Sequence, residues 1–115
     1  MTYKLNIENK TLDNTYYRNV LYTNDNTQLV IMNLLSNEEI GMEKHDGSQF
    51  IRVESGSGVA IVKGKKYNLS DGSALIINRN TFHNIIAGKH GLKLYSLYSP
   101  PQHEPWAKDK FKESS

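Results

Sequence analysis

Short runs of alternating apolar and polar residues cover most of this chain, each closed by Gly, Asn, Asp or Ser. Alternation with a period of two is the signature of strands with one face buried. It predicts strands over Asn19–Thr23, Gln28–Leu35, Gly41–His45, Gln49–Ser55, Gly58–Val62, Lys65–Leu69, Ala74–Ile77, His83–Ala87 and Leu92–Tyr98. Between them, Asn24-Asp25-Asn26 and Asp46-Gly47-Ser48 tolerate positive φ, and Lys63-Gly64-Lys65 fits a tight hairpin. No stretch keeps a helical period beyond two turns; a short turn near Trp106–Lys112 is the one helical candidate. The fold class is therefore all-β, a sandwich or barrel.

The ends differ from the middle. Residues 1–17 form a polar arm with scattered aromatics, expected as an edge strand or as an arm on another subunit. The strand-rich core spans about residues 18–99, and Pro100-Pro101 then stops ladder pairing. The tail, residues 100–115, is expected to be solvated. At 115 residues without a linker or repeat, the chain reads as a single domain.

Composition narrows the chemistry. There is no cysteine, so thiolate zinc sites, disulfides and cysteine nucleophiles are excluded, and a metal would need nitrogen and oxygen ligands. The net charge is +2, with bases interleaved among acids, which speaks against nucleic acid as a partner. No apolar run reaches the length of a signal peptide core or a membrane span, and the expected location is the cytoplasm.

The four histidines, His45, His83, His90 and His103, are the scarcest reactive groups. Strand alternation puts Glu43 and His45 on one face, Gln49 on the face of Ile51 and Val53, and His83 on the face of Ile85 and Ala87. A polar group on such a face needs a partner, since an unpaired buried amide costs about 1–3 kcal/mol. Each has a plainer reading. His45 could end a strand at the surface, and His83 could be a core residue satisfied by a backbone carbonyl. Gln49 could serve only as a structural hydrogen bonder, and Glu43 could pair with Arg52 or a lysine. Arg52 and Glu54 fall on the opposite face, as surface or interface residues. His90 sits in a Gly-rich turn, and His103 is expected to be a plain loop residue or a cap on a barrel mouth. Tyr95 and Tyr98 point opposite ways, so at most one lines a pocket. Trp106 could close the mouth or meet a neighbouring subunit.

The order Glu43-x-His45-x-x-x-Gln49, followed by Gly56, resembles the first motif of the cupin superfamily, G-x5-H-x-H-x3,4-E-x6-G. Gly72, Asn78, Asn80 and His83 resemble the second, G-x5-P-x-G-x2-H-x3-N. Glu43 takes the place of the first histidine and Gln49 that of the glutamate; Asn78, Asn80 and Ala87 replace proline, glycine and asparagine. Further segments, among them Arg18–Thr23, Gln28–Met32, Glu39–His45 and Tyr98–Pro101, are similar to small bacterial cupins loosely labelled mannose-6-phosphate isomerase-like. The resemblance covers about residues 5–103.

It implies a double-stranded β-helix, the cupin jelly-roll barrel. It also implies one divalent transition metal per chain (Zn, Ni, Co, Fe or Mn) held by Glu43, His45, Gln49 and His83. The implied function is binding or transforming a small polar molecule, with a sugar isomerase-like activity as one form. The alternatives are a metal-free barrel that only binds a small ligand, and a metal-free isomerase using His45 as base and a tyrosine as acid. A homodimer is expected, as is common for small cupins.

Overall fold

The structure, a computed structural model, describes residues 2–112. Helix α1 (Ile7–Asp13) is followed by strands β1 (Arg18–Thr23), β2 (Gln28–Leu34), β3 (Ser48–Val62), β4 (Lys65–Leu69), β5 (Ala74–Ile77), β6 (His83–Ser99) and β7 (Lys108–Asp109). All pairings are antiparallel, in the order β4-β3-β6-β2-β1-β7, with β5 also on β3. The all-β expectation holds, and the architecture is that of a double-stranded β-helix. Among the described residues, no helix is long and apolar enough to cross a membrane.

Alternation sets the core. Along β2 the inward positions are Gln28, Val30, Met32 and Leu34, with Ile31 buried on the other face, and along the start of β3 the buried positions are Gln49, Ile51 and Val53. Leu92, Leu94, Ser96 and Tyr98 of β6 complete the inner face. Each buried Val, Leu or Ile contributes about 1.5–3 kcal/mol, so this row of aliphatics holds the barrel closed.

Two strand pairs merge. Gln49–Ser55 and Gly58–Val62 form the single strand β3, and His83–Ala87 and Leu92–Tyr98 form the single strand β6. The bend in β3 lies at Gly56, whose φ is +105° and where a Cβ would come within 2.1 Å of the Gly91 carbonyl oxygen. Only glycine permits that approach. Opposite it, residues 88–91 form a bulge, since Gly56 pairs with Leu92 and Gly58 with Ala87. His90 sits on this bulge, exposed, rather than in a turn between two strands.

Three expectations need correction. The run Gly41–His45 is not a strand: Gly41 has φ +104°, and the segment keeps only bridges at Glu39–Ile86 and Glu43–His83. The arm is not an edge strand but carries a helix. Asn6 caps α1 by accepting the Asn9 N–H at 2.9 Å, and α1 packs on β2, β3 and β6 of its own chain. Among the described residues of the tail there is no helix, only a turn closed by the Ala107 N–H on the Glu104 carbonyl. Instead, Lys108 and Asp109 pair with Asn19 and Arg18, and the Val20 N–H donates to the Ala107 carbonyl at 2.9 Å. A free strand edge at β1 offers unpaired backbone groups, and the tail takes them. Residues 113–115 of the expected solvated tail lie outside the described residues.

Candidate metal centre

The segment before β3 is laid along β6 by backbone hydrogen bonds. The Ala87 N–H donates to Glu38, the Ile40 N–H to Ile85, and Glu43 and His83 exchange both bonds at 2.9 Å. Where Gly41 breaks the ladder, the Asn84 side chain replaces it. Its Oδ1 accepts the Gly41 N–H at 2.8 Å, and its Nδ2 donates to Glu39 Oε1 at 2.9 Å. The Asn80 N–H donates to the His45 carbonyl at 2.7 Å and fixes the far end of the segment. Glu43, His45 and His83 thus face inward from backbone that is pinned at each step.

Their ligand atoms lie within 4.8 Å of one another. Glu43 Oε1 is 3.1 Å from His45 Nε2 and 3.7 Å from His83 Nε2. The His83 ring is 2% exposed, and its Nδ1 is 2.9 Å from the Thr81 carbonyl oxygen. A carbonyl only accepts, so Nδ1 carries a proton, and in the neutral ring Nε2 presents its lone pair to the cluster. That Nε2 is buried and, among the described residues, has no hydrogen-bond partner. Gln49, also 2% exposed, donates from Nε2 to Ser96 Oγ at 3.0 Å and to the Tyr98 hydroxyl at 3.1 Å. Its Oε1 is left buried and without a partner among the described residues.

The charges reinforce one another. Burial alone would raise the Glu43 carboxyl, but His45 and His83 outweigh it and hold it down to about 2. Burial would lower His83; Glu43 and the Thr81 carbonyl outweigh it and raise it. The Tyr98 hydroxyl is raised, first by burial and then by the Glu43 charge, so it remains a protonated donor. His103 is pushed down to about 4 by burial, the Arg18 charge and His45, and is neutral at pH 7.

These residues suit a divalent ion. Two imidazole nitrogens, one carboxylate and one amide oxygen match borderline metals, and two buried atoms that such ligands would use, His83 Nε2 and Gln49 Oε1, lack partners. The plain reading of His83 holds for one ring nitrogen and fails for the other. Glu43 pairs with the histidines and not with Arg52, which faces Glu54 at 3.8 Å.

Two residues join the site that alternation and motif did not place there. Tyr98 stands edge-on to His45 with ring centroids 5.2 Å apart, and His103 packs on both, 5.1 Å from Tyr98 and 6.2 Å from His45. The loop carrying His103 is held by Gln28, a fully buried residue. Gln28 Oε1 accepts the N–H groups of Gln102 and His103, and its Nε2 donates to the His103 carbonyl at 2.8 Å. His103 is therefore no plain loop residue. The signal was present: Gln28 is a polar residue on an apolar strand face, the same reason that singles out Gln49. Trp106 is 77% exposed and does not close the mouth.

The Cupin domain family model matches residues 30–98, more than half of the chain. The chain is 40% identical over 109 residues to the uncharacterized protein L612 of Acanthamoeba polyphaga mimivirus, covering 90% of this chain and 68% of that protein. It is 38% identical over 107 residues to the uncharacterized protein YrkC of Bacillus subtilis, covering 86% of this chain and 58% of that protein. The crystal structure of BH2720 from Bacillus halodurans superimposes with a TM-score of 0.92 at 33% identity, covering 96% of this chain and 89% of that one. Fold, motif spacing and relatives agree: the chain belongs to the cupin family.

Proposed function

We propose that this cupin holds one divalent metal through Glu43, His45, His83 and Gln49 and uses it to bind or transform a small polar molecule. The observation that supports this reading is the pair of buried, partnerless ligand atoms, His83 Nε2 and Gln49 Oε1. Leaving such atoms unsatisfied costs about 1–3 kcal/mol each, and an ion removes that cost. When bound, the ion supplies a Lewis acid toward a carbonyl or hydroxyl oxygen of the ligand. Where Glu43 stays off the ion, it is instead the general base beside it, and the Tyr98 hydroxyl anchors Gln49. A sugar is one ligand of this class, and proton transfer by Glu43 in an isomerisation is one reaction open to it.

A second reading, a metal-free ligand-binding barrel, is favoured by the 3.1 Å contact between Glu43 and His45, which satisfies part of the site without an ion. Elemental analysis of protein purified without an affinity tag separates the two. The metal reading expects near-stoichiometric metal in the native chain and its loss in His83→Ala. Gln49→Leu should lose part of it. Native protein without metal after loading with Zn, Ni, Co, Fe or Mn favours the second reading.

We also propose a homodimer as the unit in solution. On the outer face of the sheet, Leu29, Leu97, Phe50 and Ile76 are successive cross-strand neighbours, and Ile76 is 68% exposed. Arg52, paired within the chain to a buried Glu54, borders this row, and an apolar row of this kind meets its own copy across a two-fold axis. Light scattering should give twice the chain mass of 13.1 kDa, and Ile76→Asp should return it to that of one chain; a monomer at micromolar concentration overturns it.

A further inference from the structure

Met32, Arg18 and Asp109 are successive cross-strand partners on β2, β1 and β7. Directly paired residues share a face, and Met32 belongs to the buried core. Arg18 and Asp109 therefore rise from the inner face of the sheet. A guanidinium there has five N–H donors to satisfy, and this one is poorly supplied. Its Nη1 is 3.3 Å from Asp109 Oδ2, its Cζ lies 5.3 Å from the Tyr17 ring centroid, and its Nε is buried without a partner among the described residues.

Arg18 also belongs to the surroundings of the cluster. Its cross-strand partner Met32 pairs in turn with Leu94 of β6, on the inward row that runs on to Ser96 and Tyr98, the two residues that hold Gln49. The partner it has is a weak one. The side chains of Arg18 and Asp109 are 24% and 36% exposed, and β7 is two residues long. A pair of this exposure contributes little and is readily exchanged for another carboxylate.

We propose that Arg18 is the anion-binding group of this pocket, and that its ligand is a small molecule bearing a carboxylate. The carboxylate takes the place of Asp109 on the forked N–H donors of Arg18, Nε included, while the ligand's other polar end meets Glu43, His45 and His83. A carboxylate is the class that fits: its two oxygens match the planar fork of the guanidinium, where the Asp109 carboxylate now stands at 3.3 Å. This rests on the reading of the cluster as the ligand-binding centre.

The test is a calorimetric titration of cobalt(II)-loaded protein with dicarboxylates from malonate to adipate, and with monocarboxylates of equal chain length. The Arg18 Nε–H resonance is followed alongside. One dicarboxylate length should bind about tenfold or more tighter than its monocarboxylate and should shift that resonance. Arg18→Gln should abolish the advantage while still taking up cobalt. Asp109→Asn, which frees the guanidinium, should tighten binding about threefold, and this arm stands even if Arg18→Gln fails to fold. Failure to take up cobalt defeats the metal reading alone; the same titration on chelator-treated protein then reads the arginine. An Arg18 resonance that no carboxylate moves in either form, or equal affinities with and without Arg18, overturns the proposal.

Discussion

Glu43 and His83 are joined twice, by a reciprocal pair of backbone hydrogen bonds at 2.9 Å and by a side-chain approach of 3.7 Å. The isolated bridge decides the chemistry. It fixes the distance at which a carboxylate on an irregular segment meets an imidazole on β6, and it does so without a continuous strand.

Glu43→Gln preserves this shape and removes the charge. The His83 pKa, raised in part by Glu43, should fall in the metal-free protein, as followed by the NMR titration of its ring protons. Metal affinity should fall about tenfold to a hundredfold, measured by competition with a chelator. An unchanged His83 titration would show that the carboxylate does not act on it.

Gln28→Ala should unseat the loop over the site. It leaves the N–H groups of Gln102 and His103 and the His103 carbonyl without their buried partner, a loss of about 3 kcal/mol in urea unfolding. His103, no longer buried, should titrate closer to its ordinary 6.5 than to about 4.

Gly56 and Gly72 occupy matching motif positions with different demands. An added Cβ at Gly56 meets the Gly91 carbonyl oxygen at 2.1 Å, whereas at Gly72 it meets nothing within 4 Å. Both have positive φ, +105° and +86°. Gly72→Ala should cost about 1–2 kcal/mol from backbone conformation alone. Gly56→Ala adds a backbone collision and should cost about 3 kcal/mol or more, or prevent folding. Equal losses would contradict the close crossing of β3 and β6.

The metal-free protein should be most stable near pH 6.5. His103 has a depressed folded pKa, so its contribution is present above 6.5 and is lost as pH falls towards about 4. Glu43 is likewise depressed, and its contribution is lost from 4.5 down to about 2. His83 is raised, so its contribution is complete below 6.5 and is lost as pH climbs through its folded value. Urea midpoints measured from pH 3 to 9 check this order, and Gln28→Ala should flatten the limb between 6.5 and 4.

Much of this was legible in the residue order, and the exceptions have physical causes. Alternation put Glu43 beside His45 and Gln49 beside Ile51, because side-chain direction is a local property of extended backbone. The motif spacing brought His83 to them. It was silent on His103, whose position depends on hydrogen bonds to Gln28, distant in sequence, and on Arg18, whose inward direction follows from its register with Met32. The two-residue strand at Lys108 escaped for the same reason: its pairing is settled by the open edge of β1, not by its own residues. The helix Ile7–Asp13 was missed because its cap is Asn6, in a stretch whose apolar residues follow neither period.

The central claim is that Glu43, His45, His83 and Gln49 hold one metal. Diffraction from crystals of untagged protein, collected on both sides of the absorption edge found in a fluorescence scan, tests it most directly. The account predicts one anomalous peak per chain, within bonding distance of Glu43 Oε1, His45 Nε2, His83 Nε2 and Gln49 Oε1. A metal-loaded crystal with no peak among these atoms, or with its peak elsewhere, would contradict it.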